Sequence, residues 1–247
     1  MNFDQGHEEP KTMLNYLFLR SSELFAGIPS SIQMQVMDRA TTRCYVRGET
    51  MFFTGDVIKK VLLLVEGCVK LTQITQRGDE IILRLHGPGE VVGVPDWVPG
   101  ESHSYTAQAL RASRVLAWNA NTIKSTKERF PQLQRNAGKI IERALTNLQR
   151  RFCTTTTGDV RSRLALGVAQ SLEAIGQEVG SHVEICLSQE ELGQMTAVST
   201  CEVCRELKKW ERQGLVRLRR EVIEVLNVQG VLGLCKANAS SRSYVVA

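Results

Sequence analysis

Between Thr196 and Trp210 the chain reads TAVSTCEVCRELKKW, and two thiols within it, Cys201 and Cys204, stand three residues apart. That spacing admits three chemistries: half of a metal site, a dithiol that cycles through a disulfide, or two small side chains on a helix serving another purpose. A zinc site needs a second Cys or His pair at finger-like spacing, which is missing here; reaching Cys186 and His182 would distort the flanking helices. A thioredoxin-like pair belongs at a helix start that follows a strand, whereas this one follows a helix and a turn. The neighbouring charges favour the third reading. From Arg205 to Arg220 seven basic residues (205, 208, 209, 212, 217, 219 and 220) accompany two acidic ones, Glu206 and Glu211, a local excess of five positive charges. Such a run is commonly no more than a solvated face. On a capped helix able to enter a major groove, it is also the footprint of phosphate attraction.

The elements that must carry these residues can be read from LSQEELGQMTAVSTCEVCRELKKWERQGLV, which begins at Leu187. Ser188 precedes Glu191 by three residues, and Ser199 precedes Glu202 by three. Each is a capping-box pattern, in which hydroxyl and carboxylate satisfy the free N–H groups at a helix start. Two helix starts eleven residues apart predict a short helix, a tight turn and a second helix, the spacing of a helix-turn-helix. The first helix would turn Leu192 and Met195 inward, with Gly193 small enough for close crossing. The second would bury Val203, Leu207 and Trp210. Beyond it, GLVRLRREVIEVLN alternates apolar and polar residues as a β-hairpin does, so a winged helix-turn-helix is the economical picture. On its second helix Cys201 would face a groove, where a thiolate or an oxidised form would weaken DNA contact.

Upstream the punctuation differs. Glycines recur from Gly48 to Gly100, and between them lie TMFF, VLLLVEG, CVKLTQIT, EIILRLH and EVVGV, followed by SYTAQAL and RVLAW. Many short β-rich runs separated by turn residues predict an antiparallel sandwich or barrel. TQRGDE reads as a hairpin turn and HGPGE as a rigid loop. SSELFAGIPSSIQMQVMDRA reads as short helices ahead of the strands, with Ser30 or Ser31 as a cap. After Trp118 the chain becomes helical from Thr122 to Phe152, with Pro131 placed to start or kink the helix. Ala137, Ile141, Leu145, Leu148 and Phe152 recur at steps of four and three, a stripe suited to a seam against a second copy of the helix. The alternative is a helix packed on its own domain. The polar remainder, Arg143, Asn147, Arg150 and Arg151, suits solvent. CTTTTGD at 153–159 is expected to end this helix, and Asp159 to cap the next, where Val160, Leu164, Leu166 and Val168 are apolar.

The whole chain bounds these readings. Its 247 residues accommodate two small domains, and 43% hydrophobic with 23% charged residues is an ordinary globular composition. Seven scattered cysteines argue against a disulfide framework. The longest aliphatic run, Val61–Val65, is far too short to span a bilayer, and the acidic N-terminus lacks the order of a secretory signal. A cytoplasmic protein without membrane attachment is expected. The net charge of +5 is mild.

At this point the chain resembles the Crp/Fnr family of bacterial transcription regulators. LFAGIPSSIQMQVMDRA, RGETMFFTGD, VLLLVEGCVKL and GPGEVVGV are similar to that family's effector-domain β-roll. The helix before Cys153 is similar to its dimerisation helix, and DVRSRLALGV with LSQEELGQMTAVSTCEVCRELKKWERQGLV to its DNA-binding domain. The resemblance implies an α+β chain in three parts. These are a double-stranded β-helix (a cupin-like jelly roll of the cyclic-nucleotide-binding type) at 1–121, a dimerisation helix at 122–153, and a winged helix-turn-helix at 154–247. It implies a homodimer on double-stranded DNA with RNA polymerase as a further partner, no enzymatic activity, and no cofactor or metal. Arg205 occupies the place of the family's base-contacting arginine, whose fork suits guanine O6 and N7. Ser199, Thr200, Cys201 and Glu202 fall on the exposed start of the same helix, with Thr200 and Cys201 expected beside Arg205 at base edges. Ser188, Gln189, Ser199, Lys208 and Arg219 are candidate phosphate contacts. Where many members carry a glutamate, this chain has Cys201, and Glu202 comes one place later, so a half-site cannot be copied from relatives.

In members that bind cyclic nucleotides, a Gly-Glu pair holds the ribose and an Arg-Ser pair the phosphate. Here Gly93 and Ser104 remain, while Val94 and His103 replace the glutamate and the arginine. A cyclic phosphate without its bidentate arginine loses its strongest contact, so no response to cyclic AMP is expected. The first cysteine is Cys44, which excludes the N-terminal cluster of the iron–sulfur members. His86 and His103 are the candidates for haem, although an isolated histidine in a β-domain is usually structural.

Overall fold

The computed structural model of the protein describes residues 13–93 and 100–236. Two compact units divide the chain. One comprises the chain to Gln73 with Leu83–Leu145, the other Ile74–Ile82 with the chain from Thr146. The first begins with α1 (Met13–Ser21), a 3-10 turn at Glu23–Phe25 and α2 (Ser30–Met37). Neither expected serine caps α2. Pro29 holds the cap position, its carbonyl accepts the Ile32 and Gln33 N–H groups, and no side chain bonds to the helix start. A proline there sets the entry angle, leaving Ser30 as the first helical residue.

Seven antiparallel strands follow: β1 (Thr41–Tyr45), β2 (Thr50–Phe52), β3 (Lys60–Glu66), β4 (Val69–Ile74), β5 (Glu80–His86), β6 (Thr106–Ala109) and β7 (Ser113–Asn119). They form one sheet in the order β1-β7-β3 and another in the order β2-β6-β4-β5. This is the β-rich half of the expected α+β fold. VLLLVEG is continuously apolar because β3 is covered on both faces. Leu62 and Leu64 join Val69, Leu71, Ala107, Val115 and Ala117 in one core cluster. Val61, Leu63 and Val65 join a second with Leu19, Phe25, Val36, Trp118, Ile123 and Leu133 from the helices. Trp118 adds a hydrogen bond from its indole to the Val36 carbonyl, 2.8 Å. TQRGDE is the expected hairpin turn, closed by Thr75 N to Asp79 O and Gly78 N to Thr75 O. Of EVVGV, residues 90–93 do not make a strand and Val94 lies outside the described residues; only Val91 bridges, to Leu63. Gly89 and Gly93, at φ +86° and +98°, turn the backbone on either side of that bridge.

The single helix expected from Thr122 is two helices, α3 (Ala120–Arg129) and α4 (Pro131–Thr157). Phe130 between them is extended, φ −123° and ψ 90°, because the proline ring behind it disfavours the helical region. At its other end α4 runs past Cys153 through all four threonines. Thr156 and Thr157 return their hydroxyls to the Phe152 and Cys153 carbonyls at 2.7 and 2.8 Å, which lets polar β-branched residues close the last turn.

The stripe on α4 also divides. Ala137 is 1% exposed and packed, with Ile140, into the core of its own unit, so it is no part of a seam. Ile141 is half-buried, whereas Leu145, Leu148 and Phe152 are 54%, 56% and 68% exposed. Two of the arginines assigned to solvent are engaged: Arg143 pairs with Glu23 at 2.6 Å, and Arg151 donates to the Met195 carbonyl at 2.6 Å.

The second unit continues with α5 (Val160–Ile175), β8 (Gln177–Val179), β9 (His182–Ile185), α6 (Gln189–Thr196), α7 (Thr200–Arg212), β10 (Val216–Arg219), β11 (Val222–Val225) and α8 (Val228–Lys236). Its sheet runs β10-β11-β9-β8. Asp159 caps α5 as expected, accepting from Ser162 N at 2.8 Å. Among the described residues no helix is long and apolar enough to cross a membrane.

Candidate nucleic-acid interface

Helices α6 and α7 start as their sequences prescribe. Ser188 Oγ accepts from Glu191 N at 3.1 Å while Glu191 accepts from Ser188 N at 2.8 Å. Ser199 Oγ accepts from Glu202 N at 3.3 Å and donates to the Glu202 carboxylate at 2.6 Å. These bonds hold Glu202 below the usual carboxylate range, chiefly through the Ser199 hydroxyl. They also engage the Ser188, Ser199 and Glu202 side chains at their helix starts, which fixes where those groups stand. Gln189 opens α6 half-buried.

The turn between the helices is tight. Ala197 sits at φ 54°, in the left-handed region, and Val198 N returns to the Gly193 carbonyl at 3.2 Å. A Cβ on Gly193 would lie 2.6 Å from the Val198 carbonyl, so only glycine lets the turn fold back over α6. Arg163 of α5 donates to the Ala197 carbonyl at 2.9 Å, pinning the turn from outside; sequence reading missed it because nothing local links it to the turn.

With its start and turn fixed, α7 has one orientation. Val203, Leu207 and Trp210 are fully buried, as are Leu192 and, nearly so, Met195 on α6. Glu206, on the buried side, accepts from Trp210 Nε1 at 3.1 Å and from Lys209 Nζ at 2.7 Å. The opposite face leaves Thr200, Cys201, Arg205, Lys208 and Arg212 exposed, with Cys204 half-buried beside them. Arg205 Nη2 lies 4.0 Å from Cys201 Sγ, one helical turn back. Neither Cys201 nor Cys204 forms a disulfide.

The expected wing is β10 and β11, paired from Val216↔Val225 to Arg219↔Val222. Arg217 and Arg219 on β10 are more than half exposed, and both pair with Glu224 of β11, Arg217 at 3.0 Å. Glu224 itself is 0% exposed. A carboxylate in that position is tolerable only when cations compensate it, and the two guanidiniums do so. The register that makes Glu224 face Arg217 is the signal for this pairing, written in the alternation of VRLRREVIEV. Of the described residues, His182, Glu184 and Glu224 also place ligand atoms within 4.8 Å of one another, a set of metal-ligand types absent from the sequence reading. The arginines already neutralise its buried member.

At the edge of the β-roll, Gly93 at φ +98° lies against Tyr105, whose hydroxyl would be 2.7 Å from an added Cβ. Its N–H donates to Nε2 of the fully buried His86 at 3.3 Å. His103 stacks on Phe52, with centroids 3.6 Å apart and 10° between planes. Burial lowers the pKa of both histidines. Ser104 is exposed, and Val94 lies outside the described residues.

Comparison with known proteins agrees with this division of labour. The Cyclic nucleotide-binding domain family matches residues 42–129, and the Crp-like helix-turn-helix domain family matches residues 162–232. The chain is similar to the transcriptional activator protein FnrA of Stutzerimonas stutzeri, 24% identical over 84% of this chain and 86% of that one. It is similar to the Cyclic AMP receptor protein of Thermus thermophilus, 26% identical over 84% of this chain and 94% of that one. Among solved structures, FixK2 from Bradyrhizobium japonicum shares the fold with a TM-score of 0.70 at 20% identity, covering 79% of this chain and 96% of that one. With an effector-type β-roll ahead of a Crp-like helix-turn-helix on one polypeptide, this protein belongs to the Crp/Fnr family of transcription regulators.

Proposed function

We propose that this protein acts in the cytoplasm as a homodimeric, sequence-specific regulator that places one α7 helix per protomer in successive major grooves, on two half-sites about one helical turn apart. The observation that supports this best is the two-sided character of α7: Val203, Leu207 and Trp210 fully buried, Arg205, Thr200, Cys201 and Lys208 at the surface. Arg205, Thr200 and Cys201 read bases. Gln189 and Lys208 contact phosphate, and Arg219 does so with the donors that Glu224 leaves free. Leu145, Leu148 and Phe152, spaced as a coiled-coil seam and exposed in the single chain, pack against the same residues of a second copy. RNA polymerase is the partner through which the bound dimer acts on transcription.

Cyclic AMP is not the signal in this reading. His103 offers a stacked ring of lowered basicity where a guanidinium would be required, and Gly93 is followed by a valine.

The experiment is a binding titration on a palindromic duplex selected from random sequence, beside sedimentation of the free protein. A dimer that prefers its selected duplex over scrambled DNA, with Kd unchanged by cyclic AMP, is the expected result. A monomer with no preference among duplexes at moderate salt overturns the proposal. A second reading, thiol sensing, draws on the exposure of Cys201 and its 4.0 Å contact with Arg205. Oxidation there would crowd the base-reading guanidinium. If peroxide weakens DNA binding of the wild type and leaves a Cys201→Ser, Cys204→Ser variant unaffected, the dithiol is a sensor; equal responses remove that reading.

A further inference from the structure

One cleft of the β-roll unit has no part in the reading above. Its volume is about 360 Å3, within the range of small-molecule sites, and its walls come from the 3-10 turn, the loop after β5 and helix α4. Arg84, Glu90, Glu23, Arg143, Ser22 and Ile140 are among the residues that line it. The charges in it are arranged unevenly. Both oxygens of Glu90 are spent: Oε1 accepts from Arg84 Nη2 at 2.8 Å and Oε2 from Gly87 N at 2.9 Å. Burial opposes ionisation of Glu90, yet its contacts with His86, Arg84 and Gly87 outweigh that and hold its pKa at about 2. Glu23 is engaged by Arg143 at 2.6 Å.

The donors, by contrast, are not exhausted. Nη1 of Arg84 is buried and finds no hydrogen-bond partner among the described residues. The same is true of Ser22 Oγ, on a residue only 2% exposed. Ser22 occupies the cap position of the 3-10 turn without bonding to it, so its hydroxyl has no structural task. A buried donor left unpaired costs free energy that a bound acceptor would return. A cation entering the cleft would meet carboxylates already neutralised; an anion would meet an unspent guanidinium edge and an unspent hydroxyl.

We propose that this cleft binds a small oxyanion, a metabolite whose carboxylate or phosphate group bonds to Arg84 Nη1 and Ser22 Oγ. Its remainder faces Ile140 and Arg143, so occupation links the β-roll to the helix that carries the exposed apolar stripe. This effector site involves none of the residues expected to hold a cyclic nucleotide. It also stands apart from the DNA reading, because binding is measured with no DNA present.

The test is isothermal titration of the full-length protein with inorganic phosphate and, separately, with succinate, at constant ionic strength. One of the two is expected to bind saturably, at roughly millimolar Kd for so few atoms, and the stronger identifies the head group as phosphate or carboxylate. Ser22→Ala removes no bond of the fold and is expected to weaken that binding about tenfold without lowering the Tm of the free protein. Arg84→Gln is expected to abolish it. Absence of saturable binding by either probe, or binding indifferent to Ser22→Ala, overturns the proposal.

Discussion

Helices α6 and α7 and the edge of the β-roll around Gly93 solve the same problem, holding a few polar side chains in fixed places, by different means. In α6 and α7 each positioning contact is short in sequence: Ser188 with Glu191, Ser199 with Glu202, Trp210 with Glu206. At the β-roll edge, Phe52 of β2 stacks on His103, which precedes the neighbouring strand β6, so that contact depends on pairing between strands far apart in the chain, while Gly93 reaches His86 across the loop after β5. A helix start can be substituted one residue at a time and repaired locally. The sheet edge depends on registers set across the whole unit.

The harshest test of this contrast is to remove the core under α7. Trp210→Ala should cost about 3–5 kcal/mol, since it empties a fully buried site and strips Glu206 of its indole donor. Urea unfolding followed by circular dichroism measures this, and a loss below 1 kcal/mol would mean that the caps alone hold the helix. Next in size, Arg205→Ala should cost about 1–3 kcal/mol on the selected duplex and relax one base position. An equal loss on every sequence would make Arg205 a phosphate contact. Ser199→Ala should lower stability by about 1 kcal/mol through the lost cap and weaken DNA binding less than Arg205→Ala. The reverse order would mean that the hydroxyl itself touches DNA.

The β-roll should reveal itself through acid. Burial depresses the pKa of His86 from 6.5, so the unfolded chain takes up a proton the folded one refuses. The stability this histidine confers is present above pH 6.5 and is lost as pH falls below it. Glu90, depressed from 4.5 to about 2, adds a second loss between those values, again on acidification. Through His86, Tm should fall between pH 7.5 and 5, and His86→Gln should flatten that limb. A Tm independent of pH in the His86 variant and wild type alike would refute the assignment. Smallest of all, Ala197→Gly should raise stability by about 1 kcal/mol or less, as glycine relieves the positive φ of the turn.

Much of the recognition unit was legible because its signals are local. The serine-to-glutamate spacing, the wing alternation and the apolar positions of α7 all reappear in the folded chain. Legibility fell where neighbours far along the chain intervene. Nothing local in TTRCY marks it as a strand, yet it pairs with β7, far along the chain, with Thr41 opposite Ala117. EVVGV has the composition of a strand, yet Gly89 before it and Gly93 within it turn the backbone, and only Val91 bridges. The Thr run ends α4 only at Thr157, because its hydroxyls bond backward to carbonyls of the same helix.

By itself the amino-acid order determined where helices start, which face of α7 is apolar and which residues can present charge to a phosphate chain. Those properties follow from spacings of three and four residues, whose geometry any helix imposes. Tertiary structure alone decided that Ala137 belongs to its own core while Leu145, Leu148 and Phe152 stay uncovered, and that Glu224 is buried under Arg217 and Arg219. It also left Ser22 and Arg84 with donors to spare. Burial and partnership are relations between distant segments, and a periodicity can show that a side chain is apolar or charged without showing what comes to lie against it.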